Sequence, residues 1–337
     1  METTTFRRVG MFESPLVQVR DSLAGSIRQY LEQQPELGNL LGVGWRVSFL
    51  GQGAGSWAYR IRTLDRNLVL KIAKQALHRP TLVDQVRAEV QILEYLHDQA
   101  ITPKLYWADY QGGCLGRPLV VMDYLPGERL RYSQGQLVLA AQLYARLHQL
   151  SGPAQIPHVK APIAQYCSEG VAWSAVYYGW AGADLSVCRE LELAQGRLEA
   201  MHPDYSPPVL THGDATYENW RFWQHQGRIF DWDWCRVTTP AADLAHFLSP
   251  VTTRRYRDRL LSRDEEQLFL KAYGLKGFTE ELRQVRAAVV FHSLAWTARQ
   301  VVQLTDDPQA PDYLQKSRIL TQIEPDFLSW LRREEIW

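Results

Sequence analysis

The stretch Val209–Trp234 constrains the chain more than any other part of it. An apolar lead-in, Val-Leu-Thr, ends in His212-Gly213-Asp214. Asn219 follows Asp214 at five positions' distance, and the next apolar run closes on Asp231 and Asp233. A carboxylate, a carboxamide and a second carboxylate, set in that order at strand and loop ends, supply hard oxygen donors. Mg²⁺ takes such ligands and usually keeps several waters, so one or two protein groups suffice to hold it against phosphate. Taken alone, the stretch also fits a hairpin with Asp and Asn as turn residues and His212 satisfied in a core.

Upstream, Trp45–Leu50 reads as a strand that runs into Gly51-Gln52-Gly53-Ala54-Gly55-Ser56. Trp57–Ile61 returns, Asp65-Arg66-Asn67 turns, and Leu68–Ile72 is a third strand. Glycines let a backbone approach phosphate closely and aim its amides at the oxygens. A dinucleotide-binding unit would need a helix directly after the glycines; here the residues that follow alternate and include aromatics, which favours strand-loop-strand. Lys71 lies inside the apolar third strand, where an ammonium is costly to bury without an anionic partner. Pro80 and Thr81 start a helix with Val83, Val86, Val90 and Leu93 on one face. Glu89 lies near that face.

These motifs, in this order, resemble the protein-kinase-like fold. His-Gly-Asp and Asp-Trp-Asp narrow the likeness to its aminoglycoside phosphotransferase and choline kinase branch, over about Trp45 to Leu248. The resemblance implies an α+β chain: residues 1–125 form a nucleotide-binding lobe with an antiparallel sheet, and residues 126–337 a mainly helical lobe with the catalytic loop and acceptor site. It implies that Asp214 accepts or orients the acceptor hydroxyl, and that Asn219 and Asp231 hold Mg²⁺. Lys71 would bind phosphate oxygens of ATP and pair with a glutamate on the next helix that fixes it, Glu89 being the expected partner with Glu94 in reserve, and Gly53, Gly55 and Ser56 would cover the phosphates. Met122, Asp123 and Tyr124, at the end of the strand Leu119–Leu125, would meet the adenine. Asp243, in Asp-Leu-Ala, would anchor the catalytic loop, with His212 bracing it. The implied activity is ATP- and Mg²⁺-dependent phosphorylation of a small hydroxylated acceptor; the alternative is a nucleotide-binding regulator with weak or no catalysis. Ala215–Glu218 between the catalytic Asp and Asn depart from the more usual small or basic residues.

The remaining features set limits. The 337 residues allow two domains and a large core, and the zero net charge lacks the basic footprint of a nucleic-acid binder. Four scattered cysteines, no apolar leader and no long apolar span point to a cytoplasmic protein without a membrane partner. Ser14-Pro15 would cap a helix with Val19, Leu23, Ile27 and Leu31 on one face, packed outside the first lobe. Leu137, Ala140, Tyr144 and Leu147 mark another helix, ending at His148, which reads as a packing or capping residue. The aromatics Tyr166, Trp173, Tyr177, Tyr178 and Trp180 read as core. Ser262 with Glu265 forms a capping box, Gly274 a helix stop, and Thr279 starts a long helix. Asp233, Glu218 and Asp204, with Trp232 and Trp234, suggest an acceptor bearing an amine or quaternary ammonium as well as a hydroxyl. The residues name neither the acceptor nor an oligomeric state.

Overall fold

The computed structural model describes residues 15–320, apart from 54, 77, 78, 215, 255, 256, 258, 278 and 306–313, and describes 15–22 and 114 by backbone alone. The expected cap at Ser14 and the Val19 side chain lie outside the described set. Two compact units emerge: Met1–Val90 with Lys104–Tyr124, and Gln91–Pro103 with Leu125–Trp337.

The first unit contains α1 (Pro15–Glu32), α2 (Gly38–Leu41), β1 (Arg46–Gln52), β2 (Ser56–Arg62), β3 (Asn67–Ala73), most of α3 (Leu82–Tyr95), β4 (Leu105–Asp109) and β5 (Leu119–Asp123). The strands form one antiparallel sheet in the order β1-β2-β3-β5-β4. Strand side chains alternate between faces. Leu68, Leu70 and Ile72 therefore share one face and join Leu119, Val121, Tyr59 and Ile61 in a core cluster. Ile27, Tyr30 and Leu31 of α1 complete that cluster, and the Tyr30 hydroxyl donates to Asp109. The N-terminal helix is thus part of the core. Lys71 and Val69 take the opposite face, level with Val120 and Met122.

The second unit contains α4 (Gln134–Leu147), α5 (Pro162–Tyr178), α6 (Leu185–Leu198), β6 (Val209–Thr211), β7 (Trp220–Trp223), β8 (Gln226–Ile229), β9 (Arg236–Thr238), α7 (Ala241–Phe247), α8 (Pro250–Arg254), α9 (Arg263–Tyr273) and α10 (Glu280–Gln303). Leu137, Ala140, Tyr144 and Leu147 of α4 are wholly buried, as their helical spacing predicts. The Ser262–Glu265 capping box is formed, and Gly274 ends α9 at φ 109°, a value that suits glycine. Thr279 caps α10. α5 and α10 meet closely at Gly170, where an added Cβ would lie 2.4 Å from the Phe291 ring. β6 pairs with β9, and β7 with β8 through a turn in which Gln224 and His225 both have positive φ. These two small ladders frame the stretch Val209–Trp234. Among the described residues, no helix is long and apolar enough to cross a membrane.

Candidate active site

In the first unit, Lys71 and Glu89 meet. Lys71 Nζ lies 2.8 Å from Glu89 Oε1, and the two side chains are 14% and 3% exposed. β3 places the lysine on the sheet face away from the core cluster. The helical spacing of Val86, Glu89 and Val90 turns the glutamate inward, whereas Glu94 is exposed. The glycine-rich segment is closed by the Gly53 amide donating to the Ser56 carbonyl at 3.0 Å, and a strand follows it, not a helix. An added Cβ at Gly53 would meet nothing within 4 Å. At the end of β5, Met122 is buried, the Asp123 amide donates to Lys104 and the Tyr124 amide to Asn67. Tyr106 donates to Asp123 Oδ1 at 2.9 Å, and the Arg60 guanidinium lies 4.2 Å from the Tyr124 ring centre. An adenine at this segment would be read by atoms other than those two amides.

In the second unit, β6 delivers His212-Gly213-Asp214 to a buried clamp. Both oxygens of Asp243, on α7, accept main-chain amides: His212 at 2.8 Å and Gly213 at 2.8 Å. His148 Nε2 lies 3.1 Å from Asp243 Oδ2, and its Nδ1 lies 2.9 Å from the Tyr273 hydroxyl. Burial alone would push the Asp243 carboxyl up; the hydrogen bond and charge of His148, with further help from the Gly213 amide, outweigh it and hold the group below its ordinary value. His148, expected as a packing or capping residue, caps α4 and steadies this clamp.

The His212 ring fixes its own tautomer. Nδ1 accepts from the Asp214 amide at 3.2 Å, so Nε2 carries the proton and donates to the Phe230 carbonyl at 3.0 Å. A ring held at both nitrogens and wholly buried braces the loop. Asn219 Nδ2 donates to the Asp214 carbonyl at 2.7 Å and approaches Asp214 Oδ2 at 3.3 Å. Both neighbours are acceptors, so the amide must face them and Oδ1 is the oxygen left to offer a cation. The Phe230 amide donates to the Asn219 carbonyl at 3.1 Å, which ties the loop 212–219 to the residue before Asp231. Asp231 sits at φ 69°, a left-handed conformation that aspartate tolerates better than most residues. Asp231 and Asp233 each place a carboxylate oxygen within 4.8 Å of the other. Two carboxylates and a carboxamide oxygen are a donor set suited to Mg²⁺.

Sequence reasoning missed His246, whose Nε2 stands 3.8 Å from Asp214 Oδ1. The signal was present: His246 follows Asp243 by one helical turn and so shares its face of α7. It also missed a charged cluster behind Trp234. Glu169 on α5 accepts from His292 Nε2 at 2.8 Å and from Arg236 at 2.8 Å. Burial raises the Glu169 carboxyl, but these partners bring it down to about 2. Trp173, Trp234 and Trp296 pack edge to face with centroids 4.9 to 6.1 Å apart, and all three are half-buried. Trp232, by contrast, is buried against His212 and donates to Thr102, so it is closed to any ligand. Glu218 and Asp204 are exposed. Tyr166 and Tyr177 are core as expected, whereas Trp173, Tyr178 and Trp180 are only half-buried.

The profile of the phosphotransferase enzyme family matches residues 46–287. No curated protein sequence matches the chain. Among solved structures, spectinomycin phosphotransferase APH(9)-Ia, in complex with ADP and spectinomycin, is 13% identical with a TM-score of 0.62, covering 88% of this chain and 94% of that one. Choline kinase LicA from Streptococcus pneumoniae is 18% identical with a TM-score of 0.60, covering 88% and 99%. A choline/ethanolamine kinase family protein from Mesorhizobium loti is 17% identical with a TM-score of 0.63, covering 88% and 92%. At these identities the likeness is one of fold, and the fold is the protein-kinase-like α+β fold that the motifs imply.

Proposed function

Because the chain belongs to the phosphotransferase enzyme family, we propose that it transfers the γ-phosphate of ATP to a hydroxyl of a small molecule. The observation that carries this reading is the braced loop in which Asp243 clamps the His212 and Gly213 amides and Asn219 holds Asp214. Phosphoryl transfer leaves a protein mainly positioning and charge neutralisation to perform, and a loop fixed at each of these points suits that task. We keep the functional division at residue 125, with nucleotide binding before it and the catalytic loop and acceptor after it. The cytoplasm, where ATP is supplied, is the compartment this chemistry suits.

In this reading the Asp214 carboxylate accepts a hydrogen bond from the acceptor hydroxyl and takes its proton as the oxygen bonds to the γ-phosphorus. The bond from that phosphorus to the bridging oxygen breaks, and ADP leaves. Lys71, held by Glu89, neutralises phosphate oxygens, and Gly53, Gly55 and Ser56 cover them. Asn219 Oδ1 and Asp231 would hold Mg²⁺, with Asp233 beside them; the ion supplies charge neutralisation on the phosphates when bound. The segment Met122-Asp123-Tyr124 meets the adenine.

For the acceptor, Asp233 precedes Trp234, whose ring belongs to the half-buried tryptophan cluster. Two guanidinium groups already lie over these rings, Arg236 at 5.7 Å from Trp234 and Arg299 at 5.4 Å from Trp296. The rings are therefore suited to cations, each such contact contributing about 0.5–2 kcal/mol. We accordingly propose an acceptor that carries an amine or quaternary ammonium as well as a hydroxyl. The solved relatives that act on choline or spectinomycin are consistent with that chemistry. The test is phosphate transfer from ATP with Mg²⁺, followed by ³¹P NMR, over amino alcohols, quaternary ammonium alcohols, aminoglycosides and neutral sugars. Transfer to a cationic acceptor is expected; transfer to neutral sugars alone would defeat the cationic assignment while leaving the kinase reading standing.

A further inference from the structure

Lys74 follows β3 and lies beside the glycine-rich segment without belonging to any motif read from the sequence. Its Nζ donates to the Gly53 carbonyl at 2.8 Å. Its own amide donates to the Gly55 carbonyl at 2.7 Å, and the Gln75 amide reaches the same oxygen at 3.3 Å. Arg117 pins this short segment from the other side: Nη1 donates to the Lys74 carbonyl at 2.6 Å, and the guanidinium lies 5.3 Å from the Trp57 ring centre. Two carbonyls of the loop, those of Gly53 and Gly55, are thus turned onto donors from residues 74 and 75.

The consequence is electrostatic. A loop that covers phosphates must present amides and keep its carbonyl oxygens away, because a carbonyl dipole facing a phosphate repels it. In a planar trans peptide the N–H points opposite to the C=O. Holding the Gly55 carbonyl against residues 74 and 75 therefore turns the Ser56 amide the other way. The glycines of this loop have no side chains to fix such orientations and lose more conformational freedom on ordering than other residues do. Burial holds the Lys74 ammonium below its ordinary value, as fits a group partly withdrawn from water.

We propose that Lys74 is a positioning residue for nucleotide phosphates: it holds the Gly53 carbonyl out of the phosphate site and so sets the affinity for the polyphosphate of ATP. The proposal rests on the reading of this loop as the nucleotide-covering one. Its test is calorimetric titration of the full chain, as parent, Lys74→Met and Lys74→Arg, with Mg-ATP and separately with adenosine, alongside steady-state kinetics and thermal melting of each variant. Lys74→Met removes the donor and keeps most of the stem. It is expected to weaken Mg-ATP about tenfold, the loss of one charge-assisted hydrogen bond, with KM raised and kcat nearly unchanged. Adenosine, which has no phosphates, is expected to bind as in the parent. Lys74→Arg retains a cationic donor and is expected to restore most of the affinity. Parent-like Mg-ATP affinity in a folded Lys74→Met overturns the proposal, as does an equal loss for Mg-ATP and adenosine, which marks general damage. A parent that binds no Mg-ATP at all overturns the nucleotide reading of the loop, and this proposal with it.

Discussion

Removing the ammonium at position 71 does two separable things, because Glu89 is 3% exposed and takes a hydrogen bond from it. In the proposed reading, function loses a cation for phosphate, and the fold loses the ion pair to a nearly buried carboxylate. Removing one member of a buried pair costs about 3–5 kcal/mol. Lys71→Met is therefore expected to lower the melting temperature as well as nucleotide affinity. Lys71→Met combined with Glu89→Gln removes both charges; it is expected to recover much of the stability and none of the affinity. Thermal melts beside Mg-ATP titrations of the two variants make the comparison, and a double variant that binds like the parent removes Lys71 from the site. This pair was legible in the sequence because a strand leaves one lysine among apolar residues, the family resemblance implies a glutamate partner on the next helix, and the face of that helix selects Glu89 over Glu94. Residues 232 and 234 were not separable by the same means. Both are tryptophans beside acids, and only the structure shows that Trp232 is buried against His212 and Thr102 while Trp234 is half-buried.

At the scale of elements, the seam between α5 and α10 carries the features that the sequence hid. Caps and helical periodicity located both helices, but nothing local says which helices pair. Gly170 and Phe291, or Glu169 and His292, stand more than a hundred positions apart and meet only in the fold. Two predictions follow from the seam. Gly170→Ala gains about 1 kcal/mol of helix propensity but puts a methyl 2.4 Å from the Phe291 ring, and overpacking of this type costs about 1–3 kcal/mol. With the ring hemmed in between the two helices the second effect is expected to win, a net loss of about 1 kcal/mol readable by denaturant titration; a more stable variant would show that the seam has slack. The second prediction concerns acid. His292 is held below its ordinary value of 6.5, first by burial, and Glu169 is held at about 2, below its ordinary 4.5. Both groups take up protons more readily in the unfolded chain, so stability rises with pH wherever they titrate. It is expected to fall as pH drops below about 6.5, and again between about 4.5 and about 2. Glu169→Gln should flatten the lower part of that profile; an unchanged slope there would show that Glu169 does not carry it.

For the molecule as a whole, the question is whether it turns over or only binds, and the loop geometry allows the two to be told apart. Asp214 is held through its amide, its carbonyl and its neighbour Gly213, and its side chain is 30% exposed, with one oxygen toward Asn219 and the other 3.8 Å from His246. A carboxylate so placed is oriented and part-exposed, as the proposed acceptor-facing role requires. Asp231 follows the Phe230 main chain that bonds both Asn219 and His212, and it stands close to Asp233, a placement for a cation. Asp214→Asn keeps the size of the side chain and removes its charge and proton affinity. It is expected to lower kcat by about 100- to 10,000-fold, the usual worth of a general base, while Mg-ATP still binds, because the interaction lost belongs mainly to the transition state. Asp231→Asn removes an anionic ligand from a hard cation and is expected instead to weaken Mg²⁺-dependent nucleotide binding by about 10–100-fold or more, with binding measured in EDTA unchanged. Calorimetry of both variants, with and without Mg²⁺, set beside transfer rates to the best acceptor found, gives the decision. Two variants that both bind and turn over like the parent would remove these aspartates from the chemistry. A parent that binds Mg-ATP, transfers phosphate to no acceptor and is indifferent to Asp214→Asn would make the chain a nucleotide-binding regulator built on a kinase fold.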